Sequence, residues 1–175
     1  MAKLRKMLGS ADSPYIVSLM RVIETQSKTT ITKWCVDYAE EHILPIYESA
    51  YVGDFRARNA LKASRDYIEG KMKLADAKKL LREATAAARE AEENPIAQAA
   101  ARAVAQAAAT INTSTNSLAL AFYGSAAIAY TRVGTLEKAD IYDQIATEEC
   151  GKMEEALRSI AVENEENPAK INWNC

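Results

Sequence analysis

Histidine, the side chain most often used for acid-base catalysis at neutral pH, occurs once in this 175-residue chain, as His42. Any Ser-His-Asp or Cys-His catalytic arrangement would have to centre on it. His42 follows Glu40 and Glu41 and precedes Leu44 and Pro45, a setting typical of a solvated histidine near a helix end. The chain also lacks GxGxxG, P-loop, HExxH and GxSxG strings. We therefore predict a protein with no catalytic site, no resident metal and no cofactor.

Two pairs of adjacent glutamates, Glu148-Glu149 and Glu154-Glu155, are the carboxylates that acid-base or di-metal chemistry would use. Di-iron helical bundles combine such glutamates with Glu-x-x-His segments, and this sequence contains none. The pairs are therefore interpreted as a solvated or partner-facing helix surface.

The three cysteines, Cys35, Cys150 and Cys175, cannot all pair with one another within a single chain. None belongs to a CxxC motif or to a Cys/His cluster. They are predicted to be free, unreactive thiols in a reducing compartment.

A charged group marks the start of the predicted third helix, where Asp54 is followed by Arg56, Arg58 and Arg65. A carboxylate at a helix N-terminus is favourable, and arginines one turn away can bridge to neighbouring helices. The group is interpreted either as a capping and inter-helix charge network or as a binding patch for a ligand or partner.

The helices that must position these residues are delimited by scarce proline and glycine, four and six copies respectively. Ser13-Pro14 and Asn94-Pro95 each place a capping residue before a proline at the first helical position. Pro45 should bend or break the second helix near Leu44, because proline removes a backbone hydrogen bond and crowds the preceding turn. No strand pattern of useful length is present. The sequence predicts an all-α compact bundle of about seven helices, at about 14–26, 30–52, 54–69, 74–92, 95–111, 117–132 and 134–162.

Alanine is concentrated in the middle of the chain, where 24 of the 73 residues from Ala57 to Ala129 are alanine. Alanine is the strongest helix former but buries little apolar area. Such a belt therefore indicates central helices whose backbones pack closely together.

Bulk composition predicts one domain over residues 1–175, with an ordered core at about 13–163 and a C-terminal tail at 164–175. The net charge of -2 and the pI near 5.6 give little support for nucleic-acid binding. The N-terminus lacks an apolar signal region, and no apolar stretch approaches the ~20 residues that span a bilayer. A cytoplasmic protein with no membrane or nucleic-acid partner is expected.

Charge is unevenly distributed, because residues 137–168 carry a local net charge of -7 and the remainder carries about +5. An apolar stripe in the last helix predicts that its acidic side chains face outward.

Several segments, taken in order, resemble the alanine-rich, all-helical immunity proteins of bacterial polymorphic-toxin systems. The segments are 38–48 (YAEEHILPIYE), 54–61 (DFRARNAL) with Arg65 after it, 86–89 (AAAR) and 101–110 (ARAVAQAAAT). The resemblance covers about residues 15–132. Members commonly carry histidines in the alanine-rich helices, where this chain has Thr85 or Ala86, Gln106, Asn112 and Asn116. A histidine-dependent role is therefore not expected here.

The resemblance implies a non-catalytic protein that binds and neutralises a cognate protein toxin. An acidic helix suits the basic cleft of a toxin that handles nucleic acid. The predicted partner-binding residues are Asp143, Glu148, Glu149, Glu154 and Glu155. Two alternatives remain: a small-ligand-binding bundle in which Arg56 or Arg58 orients an anion, and a structural homo-oligomer such as a homodimer.

Overall fold

The computed structural model describes residues 3–174, and every regular element in that range is a helix. No helix of this range is both long enough and apolar enough to cross a membrane. Short 3-10 turns at Ala109–Ile111 and Ser114–Asn116 lead from α6 to α7. The predicted all-α bundle is confirmed. Its α-helices are α1 (Pro14–Ile23), α2 (Lys28–Tyr38), α3 (Leu44–Ala50), α4 (Arg56–Ile68), α5 (Leu74–Glu90), α6 (Pro95–Ala108), α7 (Ser117–Val133) and α8 (Ala139–Ile160).

The irregularity predicted at Pro45 is a π-helical segment, Ala39–Ile43, which joins α2 to α3 without a break. These three pieces together form the second of the seven predicted helices. The Leu44 N–H donates to the carbonyl of Ala39, five residues earlier, as in a π-turn. Pro45 cannot donate to the helix ladder, and its ring crowds the carbonyl four residues before it. The wider turn accommodates the ring and keeps the helix continuous.

The last helix begins at Ala139, so the predicted start at Gly134 was wrong. Gly134 instead ends α7: it adopts a positive φ of 79° and its N–H donates to the carbonyl of Tyr130. The following loop is held by Tyr142, whose hydroxyl donates to the Gly134 carbonyl at 2.7 Å and accepts from the Glu137 N–H at 3.0 Å.

Helix α6 lies at the centre of the bundle and packs against α3, α4, α5 and α7. Its buried residues are alanines apart from Gln98 and Val104. Because alanine side chains are short, the neighbouring backbones approach α6 closely and their larger side chains fill the core. The predicted close packing of alanine-rich central helices is confirmed.

A second close approach brings α7 against α8 and the π-helical segment at Gly124. A Cβ atom at this position would lie 3.2 Å from Cε of Met153 and 3.3 Å from Cδ1 of Ile43. Glycine therefore allows these three elements to meet.

Both ends of the described chain pack against the helices, beyond the predicted core of 13–163. Leu8 is fully buried, and its N–H donates to the carbonyl of Phe122 on α7. At the C-terminal end, the backbone groups of Val162 and Ala169 form hydrogen bonds with Gln26, which lies just after α1. The Trp173 indole donates to Glu24 at 2.6 Å.

Candidate functional site

A surface cleft of about 670 Å³ lies where the π-helical segment meets α7 and α8. We call it the His42 cleft, because it contains the only histidine of the sequence. Its size lies within the range of about 300–1,000 Å³ that is usual for binding pockets. It is lined by Tyr38, His42, Ile46, Ile128, Thr131, Arg132, Glu149, Lys152, Glu155, Ala156 and Ser159.

A buried carboxylate, Glu149, lies in the wall of this cleft and is only 4% exposed. Its Oε1 atom accepts hydrogen bonds from Nη2 of Arg132 and, at 3.1 Å, from Nζ of Lys152. The same two cations lie 3.5 Å and 3.4 Å from the Glu148 carboxylate. Burying a carboxylate is costly unless it is paired, and these two cations supply that pairing for Glu149. The resulting four-residue network ties α7 to α8.

The rings of Tyr38 and His42 also line the cleft, and their centroids are 4.4 Å apart. Burial, together with the neighbouring Glu149 carboxylate, raises the pKa of the Tyr38 hydroxyl well above its ordinary value. Tyr38 therefore stays protonated at neutral pH. The His42 side chain is 45% exposed, and its Nε2 lies 3.7 Å from Oε2 of Glu41, farther than a hydrogen bond. This imidazole is available for contact with a partner.

The acidic residues predicted to bind a partner are distributed around α8. Glu155 is exposed and lines the His42 cleft, whereas Glu149 is buried in the network described above. Asp143 pairs with Arg5 at 2.9 Å, and Glu154 pairs with Arg158 at 3.0 Å. Eleven residues bring an α-helix back to about the same side, so Asp143 and Glu154 share a side away from Glu155. The structure thus brings Glu148, Glu149 and Glu155 near the His42 cleft. Asp143 and Glu154 both lie on another side of α8, away from this cleft.

The charged group at the start of α4 ties the second helix to α4 and α5. Asp54 accepts from the Tyr47 hydroxyl at 2.6 Å and from the Arg56 guanidinium, and Arg56 lowers the pKa of Asp54 well below its ordinary value. All three predicted arginines are engaged with carboxylates. Their ion pairs are Arg56 with Asp54 and Glu90, Arg58 with Glu48, and Arg65 with Asp37 and Glu40.

Two of these ion pairs and the Tyr47–Asp54 hydrogen bond also connect two segments that carry the family resemblance, 38–48 and 54–61 with Arg65. Glu40, Tyr47 and Glu48 belong to the YAEEHILPIYE segment, and their partners are Arg65, Asp54 and Arg58 respectively. The two segments therefore form one structural unit, which fixes the π-helical segment that carries His42.

The predicted free thiols are confirmed for Cys35 and Cys150, both of which are buried. Burial raises the pKa of Cys150 to about 12, so the thiol stays protonated at neutral pH and is a poor nucleophile. Cys175 lies outside the described residues. Within residues 3–174, no three or more histidine, cysteine, aspartate or glutamate side chains are grouped so as to hold a metal ion.

The sequence reasoning missed Arg132 and Lys152 as members of the site. Arg132 stands seventeen residues before Glu149 and on another helix, so no local spacing links the two. Pro45 signalled the irregular turn, but not the cleft beside it.

The structure is thus a helical bundle with a surface cleft lined by acidic, basic and apolar side chains. The sequence model of the family described as Imm-5 like putative immunity protein matches residues 21–156. The chain therefore belongs to this family. The match includes every residue that lines the His42 cleft except Ser159. Searches of curated proteins and of solved structures found no match.

Proposed function

We propose that this chain is an immunity protein that neutralises a cognate protein toxin by binding to it in a stable complex, without turnover. The observation that carries the proposal is membership of the Imm-5 like family over residues 21–156. The mixed charge and open form of the His42 cleft support a binding role. The resemblance of the sequence to polymorphic-toxin immunity proteins supports a toxin as the partner.

The proposed contact surface is the His42 cleft and the adjoining side of α8. Glu155 offers an exposed carboxylate there, while His42 and Lys152 offer a half-exposed imidazole and an ammonium group. Glu148 and Glu149 already bind Arg132 and Lys152, so their main contribution is to hold the surface in shape. Glu155 is therefore the acidic residue of this cleft best placed to meet a basic group of the toxin.

Titration of a candidate toxin, such as one found encoded next to this gene, with the purified protein would test neutralisation by stoichiometric binding. We expect the toxin's activity to fall linearly with added protein and to vanish at a fixed molar ratio. Complete loss of the toxin's activity with far less protein than is needed to bind all of the toxin would show turnover and would contradict the proposal.

A charge reversal would test the contact surface. Glu155→Lys should weaken binding by about fivefold and reduce its dependence on salt, because exposed ion pairs contribute up to about 1 kcal/mol and reversal adds repulsion. Glu83→Lys is the matched control, since Glu83 is an exposed glutamate on α5, outside the cleft. Equal affinities of the two variants, measured by calorimetry, would place the contact surface elsewhere.

A further inference from the structure

A second groove, of about 560 Å³, lies between the N-terminal segment 3–6 and the region where α5 ends and α6 begins. We call it the N-terminal groove. Five basic side chains line it, against one carboxylate, that of Glu92. The basic residues are Lys3, Arg5, Lys6, Arg89 and Arg102.

The positive charge of this groove is largely uncompensated. Arg5 pairs with Asp143, but no carboxylate of residues 3–174 lies within 4.0 Å of the charged ends of Lys3, Lys6, Arg89 or Arg102. In that part of the chain seven of the ten arginines form ion pairs, and Arg89 and Arg102 are two of the three that do not. Like charges held together repel one another, so an anion bound among them would be strongly stabilised.

The walls of the groove are held in place by contacts with α7. The hydroxyl of Tyr130 donates to the carbonyl of Arg5, and Leu8 anchors the N-terminal segment to α7. On the other wall, the Arg102 guanidinium lies 5.8 Å from the centre of the Tyr123 ring. The apolar side chains of Leu4, Pro95 and Ala99 also line the groove. Its size is within the range of about 300–1,000 Å³ usual for small-molecule pockets.

We propose that the N-terminal groove binds a small molecule that carries two or more phosphate groups. Arginine guanidinium groups match phosphate oxygens in pairs of parallel hydrogen bonds, and lysines add point charges. Several phosphates in a row engage several cations at once, whereas a single phosphate engages only a part of the groove. This site shares no lining residue with the His42 cleft, so the proposal is independent of toxin binding.

Calorimetry and thermal shift on the full chain at low salt would test it. The probes are inorganic tripolyphosphate, ATP, inorganic phosphate and adenosine. We expect tripolyphosphate and ATP to bind and raise the melting temperature, and adenosine to do neither. Tighter binding of ATP than of tripolyphosphate would identify a nucleotide as the source of the phosphates. Equal binding of the two would identify a polyphosphate chain.

The double variant Arg89→Gln/Arg102→Gln should weaken tripolyphosphate binding by about 100-fold, since a hydrogen bond to a charged group contributes roughly one factor of ten. The matched control is Arg82→Gln, which removes an exposed, unpaired arginine of α5 outside the groove and should leave binding unchanged. No binding of tripolyphosphate by the wild-type chain, or equal losses in both variants, would overturn the proposal. Tighter binding of a single-stranded oligonucleotide than of tripolyphosphate would also overturn it, in favour of a nucleic-acid surface.

Discussion

Removal of Arg132 should destabilise the fold, because it takes the main partner from the buried Glu149 carboxylate. Breaking a buried ion pair by deleting one partner costs about 3–5 kcal/mol. Two observations reduce this figure: Lys152 remains 3.1 Å from the same oxygen, and the Arg132 side chain is 40% exposed. We expect Arg132→Met to lower the free energy of unfolding by about 2 kcal/mol. For a chain of this size the melting temperature would fall by roughly 4–8 °C.

The matched control is Arg158→Met, on α8. Arg158 pairs with Glu154 at 3.0 Å, and its side chain is 59% exposed. Exposed helix pairs of this spacing contribute about 0.3–0.5 kcal/mol. The free energies of unfolding of the two single variants, measured by urea denaturation, should therefore differ by more than about 1 kcal/mol. The reason is that Arg132 pairs with a buried carboxylate, whereas Arg158 forms an exposed pair.

A double-mutant cycle then isolates the interaction. Arg132→Met/Glu149→Gln should be more stable than the sum of its single changes implies, because the neutral amide no longer leaves a charge uncompensated. Equal losses for Arg132→Met and Arg158→Met, or zero coupling in the cycle, would refute the view that the network supports the cleft.

Two further predictions concern the elements around the site. The ionised form of Asp54 contributes stability at neutral pH, because its folded-state pKa is below the unfolded value of about 3.9, and this contribution is lost as pH falls below that value. The urea midpoint of the wild type should therefore fall more steeply below about pH 4 than that of Asp54→Asn, and parallel curves would contradict this reasoning. Gly124→Val should lower stability by about 1–3 kcal/mol through overpacking against Met153 and Ile43. Gly151→Ala, at a helical glycine with open space around it, should instead raise stability by about 0.5–1 kcal/mol, and a loss in both variants would show that glycine is needed for another reason.

Local chemistry explains which parts of the fold are predictable from the sequence. Caps and prolines act on the residues beside them, so Ser13-Pro14 and Asn94-Pro95 correctly mark the starts of α1 and α6. Gly134 was misassigned because a glycine between two helices can end the first or precede the second. Only the backbone φ angle and the hydrogen bond to Tyr130 decide between these.

The candidate sites are less predictable, since they depend on contacts between distant residues. The surplus of acidic residues in α8 indicates an outward-facing surface, but sequence cannot show that Glu149 is buried against Arg132. The basic residues near the N-terminus likewise gain a groove only when α5 and α6 are placed beside them.

The alanine-rich α6 makes the interior of this protein less tolerant of amino-acid substitution than its surface. A larger side chain at Ala100 or Ala103, both fully buried, would push apart helices on several sides at once. Positions on the rim of the His42 cleft, such as Glu155 and Ser159, are solvent-exposed and carry no such restriction. Single substitutions at the proposed contact surface can therefore change what it binds, while the helical framework beneath it stays the same.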